Sequence, residues 1–235
     1  MISIVIPCFN ERENIARFPE SLFPILKSLD EEFELIVVDD GSGDGSQEIL
    51  KRFEKSQEIK LIIHRENRGL GEALKSGFAA SAGEWILVLD ADLTFSPRQI
   101  PRLIENQRRN LSDMVSGSPW IGDGLSSRVL FFRRALSRLA NFSYRLAWGI
   151  PFSSFTSIFR LYRSSCLKSL AVQSEGFEIN AEIAALFWIY GFKVSEIPAA
   201  LENRQYGKSK LNLYRELRAH LLLIFRLMKL VRMNP

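Results

Sequence analysis

The sequence predicts an α/β protein whose main sheet is mostly parallel and doubly wound, and three observations lead to this fold class. Over the first 120 residues, short β-rich runs alternate with stretches of helical periodicity, which is the rhythm of parallel strands joined by helices. Polar residues directly follow several of these runs, as they do at the ligand-binding edge of such sheets. The 235 residues contain neither an internal repeat nor a low-complexity linker, so one continuous domain with an appended C-terminal helix is the simplest arrangement.

Each element of the first half is predicted from its periodicity. In the helix expected at 44–56, for example, Ile49, Leu50 and Phe53 fall on one face, and Pro97 stands at a position that an early helical turn permits. The strands are predicted at 2–7, 33–40, 59–64, 84–90 and 113–118. The helices are predicted from about 14 to 29, over 44–56 and 71–82, and from Pro97 onward.

Beyond Gly122 the regular alternation stops. The elements predicted there are a long basic and apolar helix at about 126–148, a strand near 157–163, a helix near 178–190, a strand at 192–199 and a closing helix at about 211–232. We therefore divide the chain into an α/β domain at 1–210 and an amphipathic helical segment at 211–235.

The charge is distributed unevenly along the chain. The net charge is +4, but residues 122–235 hold 17 Lys and Arg against 7 Asp and Glu, whereas residues 1–121 hold 14 against 20. Between 124 and 174 there is no acidic residue, although eight basic ones occur. A solvated helix normally mixes both signs, so this acid-free stretch predicts an anionic partner, either nucleic acid, a phosphorylated lipid or an anionic bilayer.

The cysteines and the chain start bear on the compartment. Cys8 and Cys166 are far apart and lack metal-site spacing, which favours a reducing compartment over a disulfide scaffold. The first residues, MISIVIPCFNE, have no basic segment before a brief apolar run, and they predict a strand rather than a signal peptide. Since no run of about 18 uncharged apolar residues occurs, no transmembrane helix is predicted, and we expect a cytoplasmic protein.

Acidic residues stand at the ends of three predicted strands. In LVLDADLTF (87–95), Asp90 and Asp92 directly follow an apolar run, and the first two strands end in PCFNE (7–11) and DDGSGDGS (39–46). Each acid alone is explained by a turn or a helix cap. Because parallel strands end at one edge of a sheet, five carboxylates would converge there and raise one another's pKa unless a cation offset them. They are Glu11, Asp39, Asp40, Asp90 and Asp92.

A divalent cation would resolve this crowding of negative charge. Hard oxygen ligands select Mg²⁺ or Mn²⁺, and these ions use few protein ligands and complete their shell with water and substrate phosphates. A diphosphate is therefore the expected substrate group. The chain has neither a Gly-x-x-x-x-Gly-Lys phosphate loop nor a Gly-x-Gly-x-x-Gly turn after the first strand, which argues against P-loop and dinucleotide sites.

Five sequence blocks resemble, in order and spacing, those of a known enzyme family. They are IPCFNE, VVDDGSGDGS, NRGLGEALKSG, LVLDADL and ENRQYGKSK, and they cover about residues 2–210. The chain is similar to the inverting nucleotide-sugar glycosyltransferases of family 2, which have the GT-A fold, in the branch of dolichyl-phosphate mannose synthase and the bacterial polyprenyl-phosphate glycosyltransferases. The resemblance implies transfer of a hexose, with mannose or glucose expected first, from a nucleoside diphosphate sugar to a polyprenyl or dolichyl phosphate.

The resemblance also implies roles for individual residues. The nucleotide would be bound by Pro7, Phe9, Glu11, Asp40, Arg68, Asp90 and Ala91. The metal, Mg²⁺ or Mn²⁺, would be held by Asp90 and Asp92. The last block resembles the family's Arg-x-x-Gly-x-Ser-Lys segment and would place Arg204, Ser209 and Lys210 over the diphosphate and the acceptor phosphate, with Asp92, Arg204 and Lys210 as the catalytic residues. A glycine turn with solvated lysines is the alternative for this block.

Three departures from the family pattern leave the details of donor and acceptor open. Thr94 stands where the branch commonly has Gln, and Pro119 stands where it commonly has Arg. The Asp-Pro-Thr-Ser-Gly-Phe-Arg segment of the branch corresponds to SFTSIFR (154–160), which keeps the Thr-Ser pair and Arg160 and loses the acid. One alternative is therefore a catalytically inactive protein that binds sugar nucleotides.

The class of acceptor is predicted from charge. A sugar hydroxyl needs a general base, for which Glu178 and Glu182 are candidates, although such residues more often face solvent or orient an arginine. A lipid monophosphate is already anionic, because its second pKa is about 6, and it needs only cations to position it. The acid-free stretch favours the lipid phosphate, and a soluble or glycan hydroxyl is the alternative. The expected acceptor-phosphate contacts are Arg133, Arg134, Ser157, Arg160 and Ser209.

The two long helices of the second half predict contact with an anionic membrane surface. In the closing helix, four basic residues gather on a face different from the apolar one, as in helices that lie at a bilayer interface. They are Arg215, Arg218, Arg226 and Lys229. The apolar face consists of Leu213, Tyr214, Leu217, Leu221, Ile224, Leu227, Met228 and Val231. We expect a peripheral protein on the inner face of the membrane; a helix docked on the sheet is the alternative. Nucleic acid is not expected, since no nucleic-acid motif occurs.

Overall fold

The fold is described by a computed structural model, which covers residues 1–122, 131–202 and 213–233. The side chains in these ranges are described except at 131–136, 213–215 and 232–233. Within these ranges a seven-stranded sheet has the order β3-β2-β1-β4-β6-β5-β7. Its strands are β1 (Ile2–Cys8), β2 (Phe33–Asp39), β3 (Lys60–Ile63), β4 (Trp85–Val88), β5 (Met114–Ser118), β6 (Arg160–Arg163) and β7 (Val194–Pro198). Strand β6 is antiparallel to both neighbours and every other pairing is parallel. The predicted mostly parallel α/β fold is confirmed.

The described helices follow the predicted alternation with two differences. They are α1 (Arg12–Ile15), α2 (Phe18–Ser21), α3 (Phe23–Lys27), α4 (Ser46–Lys55), α5 (Leu70–Ala80), α6 (Ile100–Asn110), α7 (Phe131–Trp148), α8 (Ser164–Lys168), α9 (Ile179–Ile189) and α10 (Leu213–Met233). The single helix predicted from 14 to 29 is three short ones, because Pro19 and Pro24 lack the N–H that would continue a helix and instead stand in the first turns of α2 and α3. Helix α8 was not predicted.

Helices cover both faces of the sheet and bury two separate cores. Val5 of β1 points into one core, with side chains of α5, α7, α9 and α10. Ile4 and Ile6 of the same strand point into the other, with side chains of α1 to α4 and α6. Successive strand residues face opposite sides, so a strand that is covered on both faces is apolar throughout.

The order of the strands places the functional edge. From β1 the chain passes outward to β2 and β3, and it then returns to the other side of β1 at β4, so the strand order reverses between β1 and β4. Ligands of open α/β sheets bind outside the carboxyl ends of strands at such a reversal. Because Cys8 pairs with Asp39 and Val5 with Val88, the loops after β1, β2 and β4 emerge side by side.

Candidate active site

The loops that follow β1 and β2 are joined by reciprocal hydrogen bonds. Asn10 N–H donates to Ser42 Oγ at 2.7 Å, and Gly43 N–H donates to Asn10 Oδ1 at 2.7 Å. Asp44 Oδ2 accepts from Arg12 N–H at 3.0 Å. Partial burial opposes ionisation of Asp44, but hydrogen bonds from Ser46 and from backbone N–H groups outweigh it and lower the pKa of this carboxyl. The first two sequence blocks therefore meet as expected.

Asp39 shapes the loop after β2 from inside the protein. Its side chain is fully buried, and its Oδ2 accepts from Ser42 N–H at 3.1 Å and from Gln47 Nε2 at 2.8 Å. Burial raises the pKa of the Cys8 thiol, and the charges of the nearby Asp39 and Glu11 raise it further. Cys8 is therefore a neutral thiol at physiological pH and not a nucleophile.

Asp40 holds the turn that precedes α5. Its Oδ2 accepts from Gly69 N–H at 2.8 Å, and its Oδ1 accepts from Arg68 N–H at 2.9 Å. His64 Nδ1 lies 2.6 Å from the same Oδ1, and His64 Nε2 lies 2.9 Å from Ser76 Oγ. Asp40 and Arg68 thus adjoin, as expected, while His64 was missed although it is a polar residue at the end of a predicted strand.

Asp90 and Asp92 lie on a tight turn after β4. Leu93 has φ of 52° and its N–H donates to Asp90 O at 3.1 Å, and Asp92 Oδ1 accepts from Thr94 N–H at 3.1 Å. Both acidic residues are partly exposed. Beside them is a cleft of about 440 Å³ whose lining includes Asn14, Arg17, Ala91, Asp92, Arg98 and Glu202. Glu202 N–H donates to Thr94 O at 2.9 Å, so the chain reaches residue 202 beside this turn.

The carboxylates at this turn suit a hard divalent cation. Within the described ranges, no three His, Cys, Asp or Glu side chains are grouped as a ready-made metal site. Asp90 and Asp92 are two partly exposed carboxylates, and Asp92 lies next to open space. This donor set fits Mg²⁺ or Mn²⁺, which take their remaining ligands from water and phosphate oxygens.

Two of the residues expected to contact an acceptor phosphate lie inside the fold. Arg160 is fully buried, and its guanidinium donates to Ser116 Oγ and to three backbone carbonyls, among them Phe155 O at 2.7 Å. Ser157 is buried and its Oγ donates to Gly117 O at 2.6 Å. In this geometry both side chains position the segment between α7 and β6, because their donors are already satisfied by the protein. Their direct contact with a phosphate stays a prediction.

Other expected residues fall in parts of the chain about which the structure gives no side-chain information. Arg204, Ser209 and Lys210 lie outside the described residues, as does the boundary drawn at residue 210. Arg133 and Arg134 belong to α7, but their side chains lie outside the described part. Their roles stay predictions. Pro7, Phe9 and Glu11, which were also expected to bind the nucleotide, lie at the end of β1 and in the loop that follows it.

The two glutamates considered as general bases have different surroundings. Glu182 is 1% exposed, accepts from Ser174 N–H at 2.7 Å and pairs with Arg226 Nη2 at 2.7 Å. This arrangement matches the alternative in which the residue orients an arginine. Glu178 is also buried, and its Oε1 accepts from Gly176 N–H at 3.3 Å.

Helix α10 docks on the domain along part of the face that we expected to meet the membrane. Leu227 is buried, and Ile224, Met228 and Val231 pack against the same core. The expectation that these four residues face lipid is therefore corrected: they cover apolar surface of α7 and α9. Leu217 and Leu221 remain exposed, as do Leu222 and Phe225, which the prediction did not include. No helix in the described ranges is both long enough and apolar enough to cross a bilayer.

A buried polar contact joins α10 to α7. Tyr144 OH and His220 Nδ1 are hydrogen-bonded, and Trp148 Nε1 donates to Ile224 O at 3.3 Å. Burial raises the pKa of Tyr144, and the charges of Glu178 and Glu216 raise it further. Burial lowers the pKa of His220 although Glu178 opposes the shift, so this histidine is neutral at pH 7. Sequence reasoning did not find this contact.

The α/β sheet carries acidic residues at its carboxyl edge, at the point where the strand order reverses. The model of the family "Glycosyl transferase family 2" matches residues 3–171, and the chain belongs to this family.

Curated relatives are similar in sequence along most of this chain. The chain is 30% identical over 215 residues to the undecaprenyl-phosphate 4-deoxy-4-formamido-L-arabinose transferase of Edwardsiella ictaluri, covering 90% of this chain and 63% of that protein. It is 32% identical over 212 residues to the enzyme of the same name from Photorhabdus laumondii, covering 89% and 62%. The chain thus spans less than two thirds of the length of these relatives.

Solved structures share the GT-A fold. Glucosyl-3-phosphoglycerate synthase from Mycobacterium tuberculosis, in complex with Mn²⁺, uridine diphosphate (UDP) and glucosyl-3-phosphoglycerate, superposes with a TM-score of 0.71 at 18% identity, covering 98% of this chain and 80% of that one. S. aureus TarS (residues 1–349) in complex with UDP-GlcNAc gives a TM-score of 0.61 at 16% identity, covering 94% and 66%.

Proposed function

We propose that this protein is an inverting glycosyltransferase that moves one sugar from a nucleoside diphosphate sugar to a polyprenyl phosphate. The observation that carries the proposal is the meeting of three carboxylate-bearing strand ends at the reversal between β1 and β4. There Asp40 fixes the turn at 68–69, and Asp92 borders an open cleft. Membership of family 2 and the names of the relatives support the same reaction and the same class of acceptor.

We assign the base and the diphosphate of the donor to different parts of the site. The rigid turn held by Asp40 would form one wall of the base site, with the β1 loop of Phe9 and Glu11 beside it. Asp90 and Asp92 would hold Mg²⁺ or Mn²⁺, which neutralises charge on a leaving diphosphate when bound. Mn²⁺ or Mg²⁺ accompanies UDP in solved structures with this fold. Alignment of the reactants and stabilisation of the leaving group would supply most of the acceleration.

A phosphate acceptor suits the environment of Glu182. A hydroxyl acceptor needs a carboxylate free to take a proton, but Glu182 already accepts two backbone N–H groups and pairs with Arg226. A lipid monophosphate needs no base, and every charged side chain in the stretch 124–174 is basic. The relatives are named as undecaprenyl-phosphate transferases, which supports the same acceptor class.

A membrane contact is part of this proposal. Exposed apolar side chains lie on both long helices: Leu139, Phe142 and Leu146 on α7, and Leu217, Leu221, Leu222 and Phe225 on α10. We call these seven residues the exposed apolar face. The exposed cations Arg138, Arg145, Arg218 and Lys229 belong to the same two helices. Apolar residues accompanied by cations suit the interface of an anionic bilayer, where a lipid phosphate is presented. We propose a peripheral protein on the inner face of the membrane.

The donor is the least determined part of the reaction. We expected mannose or glucose, whereas the relatives are named for a formamido-L-arabinose. A thermal-shift panel of nucleoside diphosphates with Mn²⁺ tests the donor site, because a ligand that binds only the native state raises the melting temperature. We expect one of UDP and GDP to raise it by several degrees and the other to have little effect. No shift with any nucleoside diphosphate would contradict the proposed function.

A further inference from the structure

We propose that Arg226 is a positioning residue that sets nucleotide affinity from helix α10. Through its ion pair with Glu182, Arg226 would hold the backbone at 173–175 against the turn 68–71. Asp40 accepts hydrogen bonds from the backbone of the same turn. The inference rests on the proposed function, because that function makes this turn a wall of the nucleotide site.

The first link joins α10 to α9 and to the segment before it. Arg226 Nη2 lies 2.7 Å from Glu182 Oε1 and 3.2 Å from Ser174 Oγ, and Arg226 Nη1 lies 3.2 Å from Gln173 Oε1. The Glu182 side chain is 2% exposed, whereas that of Arg226 is 36% exposed. The arginine thus reaches from the rim of the protein onto a buried carboxylate.

The second link is a set of hydrogen bonds between Glu182 and the backbone of the 173–175 segment. Its carboxylate accepts from Gln173 N–H at 3.1 Å and from Ser174 N–H at 2.7 Å. A buried carboxylate needs compensating donors, and it has two backbone N–H groups and one guanidinium. Loss of the guanidinium would leave a buried charge that is only partly compensated, so Glu182 would shift or draw in water and release the backbone that it holds.

The third link is a contact between two backbones with no space between them. Gly71 N–H donates to Glu175 O at 2.7 Å. A Cβ on Gly71 would lie 2.5 Å from Ser174 O, and a Cβ on Gly69 would lie 2.6 Å from Glu175 O. A displacement of the 173–175 segment toward the turn 68–71 must therefore move that turn as well.

The last link carries the displacement to the nucleotide wall. Gly69 N–H and Arg68 N–H are the two backbone donors to Asp40, at 2.8 and 2.9 Å. A shift of the turn changes both hydrogen bonds and with them the wall that would face the base. Coupling of this kind is reciprocal: if the docking of α10 strengthens nucleotide binding, then nucleotide binding strengthens the docking of α10.

The test compares matched variants of the full chain by calorimetric titration with UDP and with GDP in the presence of Mn²⁺. Arg226→Gln and Glu182→Gln each break the ion pair, and Arg226→Lys keeps the charge but loses the forked geometry. The matched control is Arg218→Gln, the same substitution at an exposed position of the same helix. We expect the nucleotide Kd to rise about tenfold in the two Gln variants, less in Arg226→Lys and not at all in the control.

Steady-state kinetics distinguish positioning from a general loss of stability. We expect Arg226→Gln to raise KM for the donor while kcat at saturating donor and KM for the lipid phosphate stay near wild type. The double variant should resemble either single one, because both remove the same link. A lower melting temperature with unchanged nucleotide Kd would overturn the inference alone. Failure of the wild-type chain to bind any nucleoside diphosphate would instead overturn the proposed function and the inference with it. If the Gln variants do not fold, the nucleotide Kd and the donor KM of Arg226→Lys test the inference in their place.

Discussion

At the scale of the single residue, a substitution at Asp92 can distinguish a catalytic role of this side chain from a structural one. Its Oδ1 accepts a hydrogen bond from Thr94 N–H, which an asparagine oxygen can also accept, so Asp92→Asn removes charge and keeps the turn. We expect turnover to fall by about 10²–10³-fold while the melting temperature stays within about 2 °C. Glu54→Gln, at an exposed position of α4, is the matched control. Near-normal turnover in Asp92→Asn, or in excess chelator, would contradict the metal assignment.

Gly71 tests the close contact between the turn and the 173–175 segment. Gly71→Ala would place a Cβ 2.5 Å from Ser174 O and 2.6 Å from the backbone of Glu175, so two stretches of main chain must move apart. We expect a loss of about 1–3 kcal/mol of unfolding free energy in urea denaturation. Gly43→Ala is the control, because nothing lies within 4 Å of its added Cβ, and it should change stability by less than about 0.5 kcal/mol. Equal stability of the two variants would contradict the described packing.

Sequence reasoning placed acidic residues at strand ends and missed contacts between residues that are distant in sequence. Asp40, Asp90 and Asp92 were predicted because parallel strands bring their ends to one edge. Arg160 was assigned to a phosphate from its motif, but its guanidinium is surrounded by Ser116 Oγ and three carbonyls in the interior. The pairing of Glu182 with Arg226 joins two different helices, and no local pattern in the sequence encodes it.

At the scale of the element, α10 has one buried and one exposed apolar side. The buried side includes Leu223 and Leu227, so removing the whole helix would uncover core and confuse membrane binding with unfolding. Substitution on the exposed apolar face is the sharper test. We expect the Leu222→Ser, Phe225→Ser double variant to bind anionic liposomes much less than wild type in a flotation assay at low salt, with release of wild type at high salt.

The control for this assay is an apolar residue of equal exposure elsewhere. Leu111 is 68% exposed, against 67% for Phe225, and it follows α6 on the other side of the sheet. Leu111→Ser should float like wild type. If the wild-type chain does not bind anionic liposomes at low salt, the membrane proposal fails and a soluble acceptor becomes the better explanation.

Element boundaries were predicted well where periodicity was uninterrupted and less well where proline intervened. The helix expected from 14 to 29 has the right apolar spacing, but Pro19 and Pro24 restart it twice. The closing helix predicted at about 211–232 is α10 (Leu213–Met233). Which part of it meets protein depends on the packing of α7 and α9 against it, and a single helix does not reveal its neighbours.

At the scale of the whole molecule, the strand rhythm was enough to predict an open, mostly parallel α/β sheet. The order of β4, β6 and β5, with β6 antiparallel, was not predictable, because it depends on how the segment 149–159 leads back into the sheet. The same long-range return buries Arg160. Sequence therefore predicted the arrangement of the first 120 residues more fully than that of the residues that follow them.

Transfer of label is the measurement that tests the central proposal most directly. Purified full-length chain would be incubated with Mg²⁺ or Mn²⁺ and a panel of radiolabelled UDP- and GDP-sugars, with undecaprenyl phosphate, with a free glycan hydroxyl acceptor, or with neither. We expect label to enter the lipid fraction only with the lipid phosphate, to depend on metal and on Asp92, and to have inverted anomeric configuration in the product. Label that enters the glycan instead, or that enters no acceptor with any donor, would contradict a polyprenyl-phosphate glycosyltransferase.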